Sequence, residues 1–311
     1  MNIKAWVKSM RLRTIPLAVA GILLGTSQII RAGQNQVSLC LLALFTAILL
    51  QIISNFANDY GDFVKGTDSK ANRTDRMLAA GQISPNSMKN AIRILSVFTF
   101  MLGLFLVYYS YINNHLEKQD FLLILSVGIL AILSAIFYTI GKRAYGYLGL
   151  GDIFVFLFFG IVPVWGLHLL SNTHFDFVSL ISSIGLGLLC VGVLNTNNYR
   201  DIHTDSLNNK ITIAVKLGKR KTQIYQIMLI TIGAILVFFS ELLYFNNNLE
   251  TPTEYALLIF YFPAIYLLSN HLVHFIKYEP GMRPELNNEL KKLSLTILVT
   301  VVIHLIMGIF I

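Results

Sequence analysis

The sequence predicts an all-α, polytopic membrane bundle of nine transmembrane helices, and three observations point to it. Hydrophobic residues fill 55% of the 311 positions and charged residues only 13%, about half the charged share of an ordinary globular chain; the mean hydropathy is +0.65. The apolar residues gather into windows of about 20, the length a helix needs to cross hydrocarbon. Basic residues fall almost wholly on alternate connections, the asymmetry that orients membrane helices. The same composition excludes a pair of soluble domains, a disordered chain, a coiled coil and a disulfide scaffold.

The first span, 14–30, follows Lys4, Lys8, Arg11 and Arg13. Such a basic lead imitates a secretory signal, but no small-residue cleavage site follows, and the further spans favour a retained helix. The second, 38–57, contains Cys40; the third, 91–111, has Arg93 at its mouth; the fourth is 121–140. The fifth, 150–170, carries Asp152 and His168, and the sixth, 177–196, contains Cys190. Both cysteines lie in apolar runs and read as small hydrophobes. The seventh, 222–245, holds Glu241; the eighth, 254–276, holds His271 and His274; the ninth, 293–311, holds His304. These histidines read as packed or interfacial groups, because no third ligand accompanies the i,i+3 pair.

Segments 1–13, 58–90, 141–149, 197–221 and 277–292, with Arg93, carry 22 of the 24 Lys and Arg; the other side has only Arg31 and Lys118. The N-terminus is therefore expected in the cytoplasm and the C-terminus outside. The net charge of +8 is then topological, and the expected partner is the lipid bilayer, with no nucleic acid. Residues 1–311 read as a single integral-membrane domain. Function is sought in the two long polar loops on the cytoplasmic side, 58–90 and 197–221.

In the first, Asn55, Asn58, Asp59 and Asp62 stand at i, i+3, i+4 and i+7, one face of a helix that continues past the apolar boundary. In the second, Asn198, Asp201 and Asp205 stand at i, i+3 and i+7, and Asn197 shares the i, i+4, i+8 row with the same two acids. Helices two and six run in the same direction, so both stripes emerge at one face. Carboxylates and amides are hard ligands suited to Mg²⁺, which completes its octahedron with substrate phosphate oxygens. Two Mg²⁺ would balance Asp59, Asp62, Asp201 and Asp205. A diphosphate of roughly −3 is then left for Lys65, Arg76, Arg200 and Lys210. That balance favours a metal-bound diphosphate over bare cation transport. A secondary transporter is the competing class, but its charges belong at the midplane, whereas here the carboxylates cluster at one face and the spans hold only Asp152 and Glu241.

The motifs NDYGD, extended through KGTD to Asp68, and NNYRDIHTD resemble the paired Asp-rich motifs of the UbiA superfamily of intramembrane prenyltransferases. Within it the chain is most similar to the branch acting on 1,4-dihydroxy-2-naphthoate in menaquinone synthesis: RLRTIP at 11–16, GYLGLGD at 146–152 and KITIAVKLG at 210–218 follow in order. Asn209 departs from the pattern, standing where glycine is usual. The resemblance implies a nine-helix prenyltransferase fold in a bacterial plasma membrane. It also implies transfer of a polyprenyl group from polyprenyl diphosphate to 1,4-dihydroxy-2-naphthoate, with loss of diphosphate and carbon dioxide. Another aromatic acceptor, such as 4-hydroxybenzoate, is the alternative within the family. The implied site is Asp59, Asp62, Asp201 and Asp205 as catalytic acids. These, with Asn55, Asn58, Asp68, Asn197 and Asn198, are the metal set, and Lys65, Arg76, Arg200 and Lys210 meet the diphosphate. Tyr60 and Tyr199 orient a ligand or anchor the interface. Asp152 caps a helix or orients the acceptor, and Lys142 and Arg143 meet an acceptor carboxylate or are simply the basic residues that a short inside loop carries.

Overall fold

The computed structural model describes residues 2–67, 76–248 and 252–310. Among them nine helices are long and apolar enough to cross a membrane: α1 (Ile3–Arg31), α2 (Val37–Val64), α3 (Pro85–Asn113), α4 (Lys118–Phe137), α5 (Gly151–Leu170), α6 (Phe177–Arg200), α7 (Ile213–Asn246), α8 (Leu257–Lys277) and α9 (Arg283–Ile309). No strand occurs among the described residues. The expected spans are all present, and the differences lie at their ends. α2 runs to Val64 instead of stopping at 57, α6 reaches Arg200, and α9 begins at Arg283 instead of 293. A hydropathy window stops where polar side chains begin, but the backbone stays helical when those side chains find partners inside the bundle.

Three helices are interrupted. α1 is helical over Ile3–Ser9, turns through Leu12–Thr14, and resumes at Ile15, with Arg11 at φ 48, ψ 61. α5 contains a π-helical turn at Leu157–Ile161, just before Pro163. α7 is broken at Gly218, where φ is 70. Such breaks bend membrane helices at identifiable places and are tolerated where neighbours satisfy the freed backbone groups.

The bundle is organised around α6, which packs most extensively on α7 and also touches α1, α5 and α9. Its core includes Leu24, Val164, Leu186, Leu189 and Ile297. Small residues bring backbones close, as is usual where lipid supplies no hydrophobic drive between helices. A Cβ on Gly160 of α5 would lie 2.6 Å from the Gly187 Cα of α6. Phe45, Ile94, Val97 and Leu130 face outward, as lipid-facing residues do.

Among the described residues, most ionisable groups inside the spans have polar partners. Arg31 bonds Glu241 at 2.8 Å, and Tyr261 and His304 close on the same carboxylate. Glu289 faces His271 at 3.1 Å and His274 at 3.4 Å. His168 sits between Thr173 and Ser179. α5 starts at Gly151 with Leu150 in the capping position, so Asp152 does not cap it. The Asp152 carboxylate instead accepts from Tyr225 Oη at 2.9 Å, tying α5 to α7.

Candidate active site

The C-terminal ends of α2 and α6 border one cavity of about 220 Å³, lined by Asn55, Asn58, Asp62 and Arg76 on one side and Asn197 and Lys210 on the other. The first motif reaches it because α2 continues through Val64, keeping its Asn/Asp positions on one face. Gly61 permits the close approach of the segment after α4: a Cβ there would lie 2.7 Å from Thr139 Cβ and 2.8 Å from its carbonyl carbon. Thr139 Oγ1 in turn donates to Ala57 O at 2.8 Å and contacts Asn58 Oδ1 at 3.2 Å.

Within the stripe the residues divide. Asn55 donates to Met10 O at 2.8 Å and to Thr14 Oγ1 at 3.1 Å, and Asp59 accepts from Ser9 Oγ at 3.2 Å. Both therefore also hold the break in α1. Asp62 accepts from Tyr147 Oη at 2.8 Å. Arg76 lies 3.5 Å from both Asp59 and Asp62. Lys65 stacks its ammonium 3.6 Å from the Tyr147 ring centroid, and partial burial draws it below the usual lysine range, Asp62 opposing the shift. Asp68 lies outside the described residues.

The second motif bends at Asp201 and resumes as a short helix, Ile202–Leu207. Asp201 pairs with Arg200 at 2.5 Å and with Arg283 at 3.2 Å. Arg200 also bonds Asn197 Oδ1 at 2.8 Å and Asn287 Oδ1 at 2.5 Å; it is buried among these partners and does not line the cavity. Asp205 meets Lys210 at 3.5 Å. Asn209, where glycine is usual, has φ 54, the left-handed conformation that asparagine tolerates. Tyr199 is turned away, donating to Tyr278 O. Lys142 and Arg143 are exposed.

The two motifs share one electrostatic field. Burial pushes the Asp205 carboxyl up to about 6, Lys210 pulls it back, and Asp201 and Asp62 push it further. Burial works to lower Lys210, but Asp205 and Asp62 outweigh it and hold the ammonium above its ordinary range. Among the described residues no three His, Cys, Asp or Glu side chains form a ready metal cluster; each acid faces a base. The donor set nevertheless fits Mg²⁺, which is bound by one or two carboxylates, waters and substrate oxygens and needs no all-protein cage. Asp205 Oδ2 and Asn198 Oδ1 are buried without a hydrogen-bond partner, oxygens whose desolvation a cation would offset.

The helical period could not reveal the rest of the wall. Tyr138, Tyr145, Phe154 and Phe158 line the cavity. Tyr145 stacks on Phe154 with centroids 3.9 Å apart, Phe158 continues the stack at 6.1 Å, and Tyr138 meets Tyr145 edge-on at 5.3 Å. Tyr147 and Thr14 belong to the segments GYLGLGD and RLRTIP, in which the resemblance gave these two residues no role. Their contacts with Asp62 and Asn55 join positions far apart in the chain, beyond any spacing rule.

Residues 14–279 match the UbiA prenyltransferase family. The chain is 42% identical over 229 residues to the 1,4-dihydroxy-2-naphthoate octaprenyltransferase of Escherichia coli, covering 73% of each chain. It is 39% identical over 237 residues to the Haemophilus influenzae protein of the same name, covering 75% of this chain and 76% of that one. A solved structure from work on digeranylgeranylglyceryl phosphate synthase in membranes shares the fold, with TM-score 0.55, 18% identity and 99% coverage of both chains. With the paired motifs meeting at one cavity of a helical membrane bundle, the chain belongs to the UbiA prenyltransferase family.

Proposed function

We propose that the protein transfers a polyprenyl group from polyprenyl diphosphate to 1,4-dihydroxy-2-naphthoate, releasing diphosphate and carbon dioxide and forming demethylmenaquinone. The observation that carries prenyl transfer is the single cavity with Asp/Asn motifs and basic side chains at one end and stacked aromatic rings along its wall. The relatives named above support the acceptor. The positive-inside distribution supports a single integral-membrane domain with its site on the cytoplasmic side of a bacterial plasma membrane.

Asp62, Asp201 and Asp205, with Asn58 and Asn198, would hold Mg²⁺, which supplies the positive charge that stabilises the departing diphosphate. Arg76, Lys210 and Lys65 turn their donors to the diphosphate oxygens as the allylic C–O bond breaks. The faces of Tyr145, Phe154 and Phe158 attract the allylic cation, and the apolar walls exclude the water that would capture it. The electron-rich ring carbon bearing the carboxylate attacks, forming the new C–C bond. Loss of carbon dioxide then returns the bonding pair to the ring and restores aromaticity.

The test is to incubate the purified protein with octaprenyl diphosphate and either 1,4-dihydroxy-2-naphthoate or 4-hydroxybenzoate, with Mg²⁺ or with chelator. A prenylated naphthoquinol and an equivalent of carbon dioxide are expected only with Mg²⁺ and the naphthoate. Product from 4-hydroxybenzoate alone would move the chain to another acceptor, and substrate uptake by vesicles without any covalent product would make it a transporter.

A second apolar cavity of about 170 Å³, between α2, α3, α4 and α5, shares Ala47, Leu50, Ala131, Phe158 and Pro163 with the first. It extends the apolar space available to an isoprenoid tail. Gly103 lines it, and a Cβ there meets nothing within 4 Å, so the position accepts a side chain and Gly103→Phe places a ring at the cavity wall. We expect about a tenfold loss of turnover with octaprenyl diphosphate, the cost of overfilling an apolar site, and little change with geranyl diphosphate. Equal losses with both donors would remove this cavity from the path of the tail.

A further inference from the structure

The three basic side chains lining the main cavity differ in their partners. Arg76 faces Asp59 and Asp62, and Lys210 faces Asp205. Arg11 lines the same cavity, yet its buried Nη2 has no hydrogen-bond partner, and it forms no ion pair among the described residues. Leu17, Ala18 and Leu290 add apolar wall to the same cavity. A guanidinium nitrogen kept from water and left unmatched is costly, a cost that an arriving anion removes.

The backbone holds it there. Arg11 lies at φ 48, ψ 61, a conformation that side-chain-bearing residues disfavour. The turn is pinned from α2 by Gln51, Asn55 and Asp59, one helical row at i, i+4 and i+8. Gln51 donates to Thr14 Oγ1 at 2.8 Å, Asn55 to Met10 O at 2.8 Å, and Asp59 accepts from Ser9. Thr14 closes the turn on Arg11 O at 3.0 Å. Arg13, two residues on, goes elsewhere, bonding Asn287 at 2.9 Å. Part of the first polar motif thus fixes the position of one unpaired cation.

We infer that Arg11 binds the carboxylate of the aromatic acceptor and so selects carboxylated acceptors. Its planar fork matches the two carboxylate oxygens. Gripping that group also orients the ring carbon that carries it. The inference rests on the proposed reaction for the identity of the ligand; the shared chemistry, an anionic oxygen pair, would also suit a diphosphate, so the test separates the two.

Equilibrium binding to the full-length protein in detergent is measured for 1-hydroxy-2-naphthoate, for 1-naphthol and for inorganic diphosphate with Mg²⁺. Two variants are compared with the parent. Arg11→Gln removes the charge; Arg11→Gly removes the side chain and supplies the residue best suited to this φ, so its thermal midpoint should not fall. Both should weaken 1-hydroxy-2-naphthoate at least about tenfold, as expected for losing a charge-assisted bidentate pair, and leave 1-naphthol and diphosphate unchanged. Unchanged binding of the carboxylated ligand, or equal weakening of 1-naphthol, overturns the inference. Weakening confined to diphosphate overturns it too and reassigns Arg11 to the donor. Binding is read instead of turnover, so a parent protein that binds the naphthoate through Arg11 but makes no prenylated product would defeat the proposed reaction and leave this inference standing.

Discussion

Asp62→Ala should reduce Mg²⁺-dependent prenyl transfer by about 10²–10³-fold, the scale of losing a principal electrostatic stabiliser of a developing anion, while the bundle stays folded. Asp62 lines the cavity, and its neighbours have other partners: Arg76 retains Asp59, and Tyr147 Oη retains Thr67 Oγ1 at 2.9 Å. Asp201→Ala should differ. Its carboxylate is the acid beside Arg200, and the two side chains are only 5% and 1% exposed. Removing one member of a buried pair strands the other at about 3–5 kcal/mol. Arg200 keeps Asn197 and Asn287, so the lower end of that range applies. Activity assays and thermal unfolding in the same detergent check both: Asp62→Ala loses activity with its midpoint near that of the parent, and Asp201→Ala loses both. Normal turnover in Asp62→Ala would dismiss the first motif as the diphosphate site.

That contrast marks where sequence reading stops. The nine spans were legible because hydrocarbon demands long apolar windows, and the acids were legible because a 3.6-residue period places them on one face. The partners of each acid were not. Asn55 and Asp59 carry the same spacing signal as Asn58 and Asp62, yet they also brace a turn in α1, because a left-handed residue at Arg11 brings that turn against α2. Arg200 carries the same charge signal as Lys210, but the bend at Asp201 buries it against Asn197 and Asn287. Tyr147 reaches Asp62 only because the segment after α4 folds back over the first motif. Each of these facts depends on where helices break and cross. Periodicity reports which face a residue occupies and says nothing of what another helix brings to that face.

Gly61→Ala tests this dependence without removing any proposed ligand. A Cβ at 61 would lie 2.7 Å from both Cβ and Oγ1 of Thr139 and 2.8 Å from its carbonyl carbon. Real contacts between such atoms are longer, so α2 must retreat from this segment. Alanine is the better helix former by about 1 kcal/mol, so local propensity favours the variant and opposes any simple unfolding explanation. The retreat moves Asn58, which Thr139 contacts, and Asp62, which Tyr147 holds from the same stretch of chain. A displacement of about 1 Å at a reacting site costs about 10²-fold in rate. Turnover should therefore fall about 10²-fold while helical content stays at the parent level. Thr139→Ala should not rescue it, because the Cβ and the carbonyl carbon that meet the new methyl both remain. Full activity in Gly61→Ala, or full rescue by Thr139→Ala, would mean that the close crossing of α2 with residue 139 does not set the geometry of the first motif.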